Sequence, residues 1–321
     1  MAQGVTALTI GNFDGVHLGH GALVRRAREL AGQGKVIALA FDPHPMAVLR
    51  PQTTPERLTG FERRAELLRE LGCDEVVRLE PTVQLLGQMP DQFMRSLVEQ
   101  FGPAFIVEGG DFRFGKGRAG DVGTLAELGG VMGFQAEVLA PVEVGLSDHL
   151  TVRASSSIVR WLLAQGRVRD ASMVLGRPYE LAGTVVKGEQ LGRKLGFPTT
   201  NLSTECLLPA DGVYAGLAEL PGGEVLAAAI NVGTRPTVNG VGRRAEAHLM
   251  PLGVDSERGL GALKALDYGW GLTLRFVAWL RDDVRFESID PLVDQIRRDC
   301  ARVSRVLAAE LGTGPRLCAA T

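Results

Sequence analysis

The hydrophobic pattern of the chain changes once, near Leu175, and this change limits most strongly what the chain can fold into. Before it, short apolar runs alternate with amphipathic stretches, which is typical of a parallel α/β sheet. After it, strand-like runs follow one another between Gly- and Pro-rich turns, which predicts a small antiparallel barrel or sandwich. With about 150 residues per domain expected, the 321 residues divide into two predicted domains, 1–174 and 175–321.

The predicted strands of the first half are Val5–Ile10, Val36–Phe41, Glu75–Leu79 and Phe105–Val107. Those of the second half are Leu181–Lys187, Val213–Glu219, Val225–Ile230, Ala245–Leu249 and Leu272–Trp279. A long C-terminal helix is predicted from apolar positions at helical spacing, namely Ile289, Leu292, Val293, Ile296, Cys300, Val303 and Leu307. In the first half, Thr59 precedes Glu62 by three residues, so we expect Thr59 to cap a helix through a capping box.

Composition and charge narrow the class of partner. The net charge of −2 argues against an extended basic surface for nucleic acid or an anionic membrane, whereas small anionic ligands remain compatible with it. The four cysteines are far apart and show no metal-binding spacing. We therefore expect reduced thiols and a cytoplasmic protein, without an export signal or an apolar run of the roughly 20 residues that a membrane helix needs.

The segment from Gly11 to His20 joins the first predicted strand to a helix. A strand, a glycine turn and a helix N-terminus form an anion site, because free backbone amides and the helix dipole favour negative charge. His17 and His20 lie on one side of the first helical turn, where they can donate hydrogen bonds to a triphosphate as pyrophosphate leaves. The same residues also fit an ordinary helix cap and a solvated side chain.

Three further segments follow in order: Phe41-Asp42-Pro43-His44-Pro45, the Glu108–Gly115 loop, and Ser155–Arg160 at a predicted helix start. Taken singly, each fits a turn or a cap. Together they resemble the bacterial bifunctional riboflavin kinase/FAD synthetase family, whose N-terminal module is a Rossmann-like H-x-G-H nucleotidyltransferase. The resemblance implies catalytic roles for His17, His20 and Arg160. It implies ATP or flavin binding by Gly11, Asn12, Phe13, Asp14, Gly15, His44, Asp111, Ser156 and Ser157.

The second half is similar to the riboflavin kinase module of that family, a small antiparallel β-barrel with a C-terminal helix. Its glycine-rich loop ends in Pro198-Thr199-Thr200-Asn201, with Thr200 where the family usually has Ala. The resemblance implies that Thr199 and Asn201 hold a metal ion, and their oxygens suit Mg²⁺, with Mn²⁺ as the alternative. It implies ATP or flavin binding by the loop residues Gly188, Gly192, Arg193, Gly196, Phe197 and Pro198.

The run Ala245–Leu249 alternates, so Glu246 and His248 share one strand face. A strand with one solvated face would explain this, but the resemblance implies that Glu246 is the general base for the riboflavin 5′-hydroxyl. The likeness lapses between Met250 and Leu266, where the chain is longer and richer in glycine than the family's connection. We predict that this segment is a flap over the flavin.

The resulting hypothesis is that ATP phosphorylates riboflavin to FMN in the second domain, and ATP adenylylates FMN to FAD in the first. ATP, riboflavin and FMN are then the partners, without nucleic acid or membrane, and the oligomeric state is left open. Three alternative functions are a protein with one decayed module, an RNA-binding protein, and a flavin-sensing interaction protein. The net charge and the absence of a basic, aromatic-rich strand disfavour RNA binding.

Overall fold

The computed structural model describes residues 4–188, 192, 195–237, 240–252 and 268–313, without the side chains of 235–241 and 311–313. The chain forms two compact units. The first comprises Met1–Gly145 and Leu150–Ser156, and the second comprises Leu146–His149 and Ser157–Thr321. Residues 157–174 therefore group with the barrel, and a boundary between the two reactions near Leu175 stays a prediction. Among the described residues, no helix is long and apolar enough to cross a membrane.

The first unit contains a parallel five-stranded sheet in the order β3-β2-β1-β4-β5. Its strands are β1 (Ala7–Gly11), β2 (Val36–Phe41), β3 (Glu75–Leu79), β4 (Phe105–Gly109) and β5 (Gln135–Leu139). Its helices are α1 (Leu18–Ala31), α2 (Met46–Leu49), α3 (Phe61–Glu70), α4 (Val83–Leu86), α5 (Pro90–Phe101) and α6 (Val122–Met132). Two 3₁₀ turns, Pro51–Thr53 and Lys116–Arg118, and a hairpin of β6 (Glu143–Gly145) and β7 (Thr151–Arg153) complete it. The predicted parallel α/β architecture is confirmed.

Hydrophobic cores lie on both faces of this sheet, as the near-continuous apolar strands require. Alternate residues of β1 and β2 pack against α1 and α3 on one face, through Val24, Ala27 and Leu68. The intervening residues pack against α5 and α6 on the other face, through Phe93 and Leu125. Since β1 lies between β2 and β4, the strand order reverses there. Ligands of such folds bind at the carboxyl ends of the strands beside this reversal.

The predicted capping box at Thr59 is wrong. Helix α3 begins at Phe61, its N-cap is Gly60, and no side chain caps it. The backbone N–H of Thr59 instead donates to Oδ1 of Asp14 at 3.0 Å, and the N–H of Leu58 donates to both oxygens of that carboxylate at 3.0 Å. This tertiary contact fixes the chain ahead of the helix, which a local sequence pattern does not reveal.

The second unit is built on a closed antiparallel barrel with the strand order β10-β11-β12-β9-β8-β13. The strands are β8 (Tyr179–Val186), β9 (Thr199–Ser203), β10 (Gly212–Glu219), β11 (Val225–Thr237), β12 (Gly240–Met250) and β13 (Gly271–Arg281). The helices are α7 (Ser156–Ala164), α8 (Val168–Leu175) and α9 (Ile289–Thr313), of which α7 begins at the boundary between the units. The barrel alternative is thus confirmed over the sandwich, and β9 is a strand that the sequence pattern did not predict.

The long helix α9 packs on the outside of the barrel, as predicted. Val303 and Leu307 are buried in one cluster with Val213, Ala215 and Leu217 of β10. Arg281 at the end of β13 pairs with the buried Asp299 of α9 at 2.8 Å, which fixes the helix lengthwise. Most of the predicted flap, residues 253–266, lies outside the described residues.

Candidate active sites

Three sequence motifs meet at the carboxyl edge of the parallel sheet. The motif at Gly11 follows β1, the one at Phe41 follows β2, and the one at Glu108 lies at the end of β4. These strands are direct neighbours and parallel, so segments about 30 and 100 residues apart in sequence end side by side. The site predicted from separate motifs therefore lies where ligands bind in this class of sheet.

The loop after β1 has an unusual backbone conformation. Phe13, Gly15 and Val16 have φ angles of 48°, 82° and 43°. These values lie in the left-handed region that residues other than glycine rarely adopt. Phe13 and Val16 are nonetheless buried, with 1% and 3% exposure. Burial of these two side chains holds a strained loop, and such loops concentrate at functional sites.

His17 and His20 form a stacked pair at the start of α1. His17 is the N-cap residue, and its backbone N–H donates to Nδ1 of His20 at 3.2 Å. The two ring centroids are 3.6 Å apart with 24° between the planes. A Cβ at Gly19 would lie 3.0 Å from the His17 ring, which explains the glycine of H-x-G-H. With Nδ1 accepting, a neutral His20 carries its proton on Nε2 and can donate it to a ligand.

The serine motif reaches the same loop. The hydroxyl of Ser156 donates to the carbonyl oxygen of Asp14 at 2.7 Å. Ser156 and Arg160 lie four residues apart on α7 and therefore share one face of that helix. Ser157 and Arg160 belong to the second unit. The carboxylate of Asp14 is buried and accepts the backbone N–H groups described above, so it orders the loop.

Asn12 and His44 are brought together from two motifs, with 3.2 Å between Asn12 Nδ2 and His44 Nε2. Nδ1 of His44 accepts the backbone N–H of Met46 at 3.1 Å. Beneath them, the buried Arg64 of α3 pairs with Asp42 at 2.6 Å. Sequence reasoning missed Arg64, because it stands beside Arg63 in a helix and resembles a residue of the solvated face.

Two acidic residues near the end of β4 have opposite environments. Asp111 is exposed, and its carboxylate lies 3.9 Å from Nη1 of Arg153. Glu108 is buried and its Oε1 accepts the backbone N–H of Ile10 at 2.6 Å. Burial raises the pKa of Glu108 well above its ordinary value; the hydrogen bond from Ile10 opposes the shift, and the charge of Asp111 adds to it. Glu108 is therefore a second residue that the sequence pattern did not single out.

In the second unit, the predicted metal and base residues are aligned across neighbouring strands. Glu246 of β12 is directly opposite Asn201 of β9, and His248 is opposite Thr199. Directly opposite residues of an antiparallel pair point to the same side, with Cβ atoms about 5 Å apart. Asn231 of β11 is opposite Glu246 on its other side. One face of the sheet thus presents hydroxyl, amide and carboxylate groups together, while Ala245 and Ala247 are fully buried.

Two described glycines of the glycine-rich segment lie close to this polar row. A Cβ at Gly188 would lie 2.2 Å from Nδ2 of Asn201, and one at Gly192 would lie 3.3 Å from Oγ1 of Thr199. Gly196 has a φ of +84°, which favours glycine. Beside them, Pro198 accepts a hydrogen bond at 2.8 Å from Nδ1 of His248, and the Phe197 ring contacts the same histidine edge-on, 5.4 Å between centroids. Arg193 lies outside the described residues.

Two family models match the chain, one in each half. Residues 1–150 match the family model described as FAD synthetase, and residues 175–307 match the one described as riboflavin kinase. A bifunctional riboflavin kinase/FMN adenylyltransferase from Escherichia coli K12 is 35% identical over 300 residues, covering 91% of this chain and 90% of the relative. The protein with the same description from Pseudomonas fluorescens is 36% identical over 306 residues, covering 94% and 92%.

A solved structure has the same fold over almost the whole chain. It is described as a macrolide-efflux protein from Streptococcus pneumoniae and superimposes with a TM-score of 0.79 at 26% identity, covering 95% of each chain. The description of that protein names transport, whereas both family models and the curated relatives name flavin enzymes.

Proposed function

Because the chain belongs to the bifunctional riboflavin kinase/FMN adenylyltransferase family, we propose that its two polar constellations are the two active sites of that enzyme. The chain transfers a phosphoryl group from ATP to riboflavin, which yields FMN and ADP. It then transfers an adenylyl group from a second ATP to FMN, which yields FAD and pyrophosphate. We assign phosphorylation to the barrel and adenylylation to the carboxyl edge of the parallel sheet.

The observation that carries the barrel assignment is the direct pairing of Glu246 with Asn201. In the proposed mechanism Glu246 takes the proton of the riboflavin 5′-hydroxyl while the oxygen of that hydroxyl attacks the terminal phosphorus of ATP. A well-placed general base contributes about 10²–10⁴ in rate. The absence of side chains at Gly188 and Gly192 lets the backbone approach Asn201 and Thr199 closely.

The donor set of the barrel face fits Mg²⁺. The hydroxyl of Thr199 and the amide oxygen of Asn201 are hard ligands, and they share a face with a carboxylate. Within the described part of the chain, no group of three or more His, Cys, Asp or Glu side chains could hold a metal ion. A site with few protein ligands suits Mg²⁺, which keeps several waters and binds together with nucleotide phosphates. When bound, the ion would neutralise charge on the transferred phosphoryl group.

At the sheet edge, His17 and His20 would donate hydrogen bonds to the oxygens that gain charge as pyrophosphate leaves. The rings of the two histidines are stacked. The hydrogen bond from the backbone N–H of His17 to Nδ1 of His20 supports the role of His20, because it leaves Nε2 as the donor. Ser156 would bind the triphosphate from the start of α7, and the roles of Ser157 and Arg160 stay predictions from the family resemblance. No base is needed in this step, since the attacking phosphate of FMN is already anionic.

We also propose a cytoplasmic location for the chain. It is supported by the thiols of Cys73 and Cys300, which are not in disulfides within the described part of the chain, because disulfides are rare in that reducing compartment. Labelling of these thiols in intact cells, before and after a membrane-permeant oxidant is added, would test it. Disulfides present before the oxidant is added would contradict it.

The metal assignment has a matched pair of variants. Asn201→Ala should raise the Mg²⁺ concentration for half-maximal phosphorylation by at least about tenfold, as loss of groups that hold a metal commonly does. Thr200 is the control, because it points to the opposite strand face and donates to the carbonyl of Ala247 at 3.1 Å. Thr200→Ala should leave the Mg²⁺ requirement unchanged. An unchanged requirement in a folded Asn201→Ala protein would refute the metal role.

The overall assignment is tested with purified protein, riboflavin, ATP and Mg²⁺, with flavins separated by chromatography. FMN should appear first and FAD later, and removal of the metal with a chelator should stop both. Absence of both products under varied metal and redox conditions would contradict the proposed function.

A further inference from the structure

A buried arginine joins the ends of two strands beneath the adenylylation site. Nη1 of Arg64 donates to the carbonyl oxygens of Asn12 at 2.5 Å and Phe41 at 3.1 Å, and Nη2 donates to Oδ1 of Asp42 at 2.6 Å. We call Arg64 with these three acceptors the strand-end clamp. Asn12 follows β1 and Phe41 ends β2, so the clamp fixes the spacing between two loops that carry predicted ligand-binding residues.

The arginine of the clamp is buried, unlike the other two arginines that pair with Asp42. The side chain of Arg64 is 5% exposed, whereas those of Arg57 and Arg78 are 33% and 48% exposed. Burial lowers the pKa of Arg64, and the charges of Asp42 and Asp14 oppose that shift. A buried guanidinium is costly to desolvate, and the three acceptors offset part of that cost by binding both Nη atoms of its planar fork.

The clamp connects directly to side chains that face the ligand. The carbonyl of Asn12 is held by Arg64, and the side chain of Asn12 contacts His44. The next residue, Phe13, has a left-handed backbone and touches the ring of His20 edge-on, with centroids 5.1 Å apart. Movement of Asn12 would therefore shift both His44 and the stacked histidine pair.

We propose that Arg64 is a positioning residue for adenylyl transfer, acting through the carbonyls of Asn12 and Phe41 and the carboxylate of Asp42. The proposal rests on the assignment of adenylylation to the first unit. Arg64 does not touch the substrate; it holds the loops after β1 and β2 at the spacing that the transition state needs. Its contribution should thus appear in the turnover of adenylylation.

Charge balance at Asp42 separates this role from simple neutralisation. Nη2 of Arg57 and Nη1 of Arg78 each lie 3.4 Å from the Asp42 carboxylate. If Arg64 is replaced, Asp42 keeps two cationic neighbours, whereas the carbonyls of Asn12 and Phe41 lose the guanidinium that joins them. The lost geometry, more than an uncompensated charge, should then set the size of the effect.

The test compares Arg64→Met, Arg64→Lys and Arg63→Met in the full chain. Arg63 is the control because it is the adjacent residue on the same helix and pairs with Glu66 and Glu70 of that helix. Arg64→Met should lower kcat for FAD formation about 100-fold, the cost of a displacement of roughly 1 Å in an active site. KM for FMN and ATP should change by less than about threefold, since no contact to the substrate is lost.

Arg64→Lys should have a kcat about tenfold higher than Arg64→Met, because one ammonium can reach Asp42 or a carbonyl but cannot reproduce the planar fork of a guanidinium. Arg63→Met should stay within about twofold of the parent. The thermal melt of each variant reports the folded fraction of the first unit, and phosphorylation of riboflavin by the same molecules reports the integrity of the second unit. A fall in FAD turnover in proportion to the folded fraction of the first unit, or normal FAD turnover in folded Arg64→Met, would overturn the proposal.

His17→Ala is assayed in parallel to separate the proposal from its premise. If His17→Ala abolishes FAD formation and Arg64→Met does not, the site assignment stands and the positioning role fails. If His17→Ala leaves FAD formation intact, the site assignment itself fails, whatever the Arg64 variants do.

Discussion

Among the described glycines of the second unit, Gly166, in the turn between α7 and α8, leaves the least room for a side chain. Gly166 has a φ of +70°, and a Cβ at this position would lie 1.4 Å from Cζ3 and 1.6 Å from Cε3 of Trp279 in β13. Gly166→Ala should cost about 1–2 kcal/mol for the left-handed backbone and about 1–3 kcal/mol for overpacking against the indole. The summed loss is about 2–5 kcal/mol, a large part of a typical domain stability of roughly 5–15 kcal/mol.

Gly223 supplies the matched control in the same unit. Its φ is +85°, but a Cβ there would meet nothing within 4 Å, so Gly223→Ala should cost only the backbone term. The difference of about 1–3 kcal/mol corresponds to a melting temperature about 2–12 °C lower for Gly166→Ala in a unit of this size.

Tryptophan fluorescence during thermal unfolding measures this directly, because Trp161, Trp270 and Trp279 all belong to the second unit. Equal melting temperatures for Gly166→Ala and Gly223→Ala would refute the conclusion that α7 and α8 pack on the barrel through Trp279.

Two further predictions concern the division of the chain and a buried carboxyl group. Fragments 157–321 and 175–321 should both phosphorylate riboflavin, but the shorter one should melt at a lower temperature, because it lacks the buried Leu162, Leu163 and Val168; equal melting curves would show that these helices add nothing. Glu108 has a raised pKa, so the stability that its protonated form provides is complete below its ordinary value of 4.5 and is lost as pH rises through the folded-state value. Glu108→Gln keeps an oxygen acceptor for the N–H of Ile10 and should make the melting temperature fall less as pH rises, as measured by circular dichroism at a series of pH values. The same dependence of melting temperature on pH in parent and variant would contradict the assignment.

The sequence predicted the regular parts of the fold because their patterns are local. Strands β2 and β3 occur with the predicted bounds, since each is a continuous apolar or alternating run. The family resemblance implied that the segments after β1, β2 and β4 share a site, and the parallel strands do place their carboxyl ends at one edge. Periodicity likewise placed Glu246 and His248 on the same face of β12, as the register confirms.

The missed features depend on contacts between distant residues. Strand β9, Thr199–Ser203, is short and polar, and only pairing with both β12 and β8 makes it a strand. The pair of Arg64 with Asp42 joins residues 22 positions apart, and the bond from Thr59 to Asp14 joins residues 45 apart. No local pattern marks such partners, so the cap of α3 and the strand-end clamp emerge only from the folded chain.

The most direct test of the two-site account follows the flavins made by two variants. Replacing His17 and His20 with Ala should leave FMN to accumulate while FAD nearly vanishes, because each lost donor costs about 10²–10³ in rate. Glu246→Ala should leave riboflavin unphosphorylated, yet supplied FMN should still be converted to FAD. If folded Glu246→Ala fails to convert supplied FMN to FAD, the two reactions do not use separate sites as assigned.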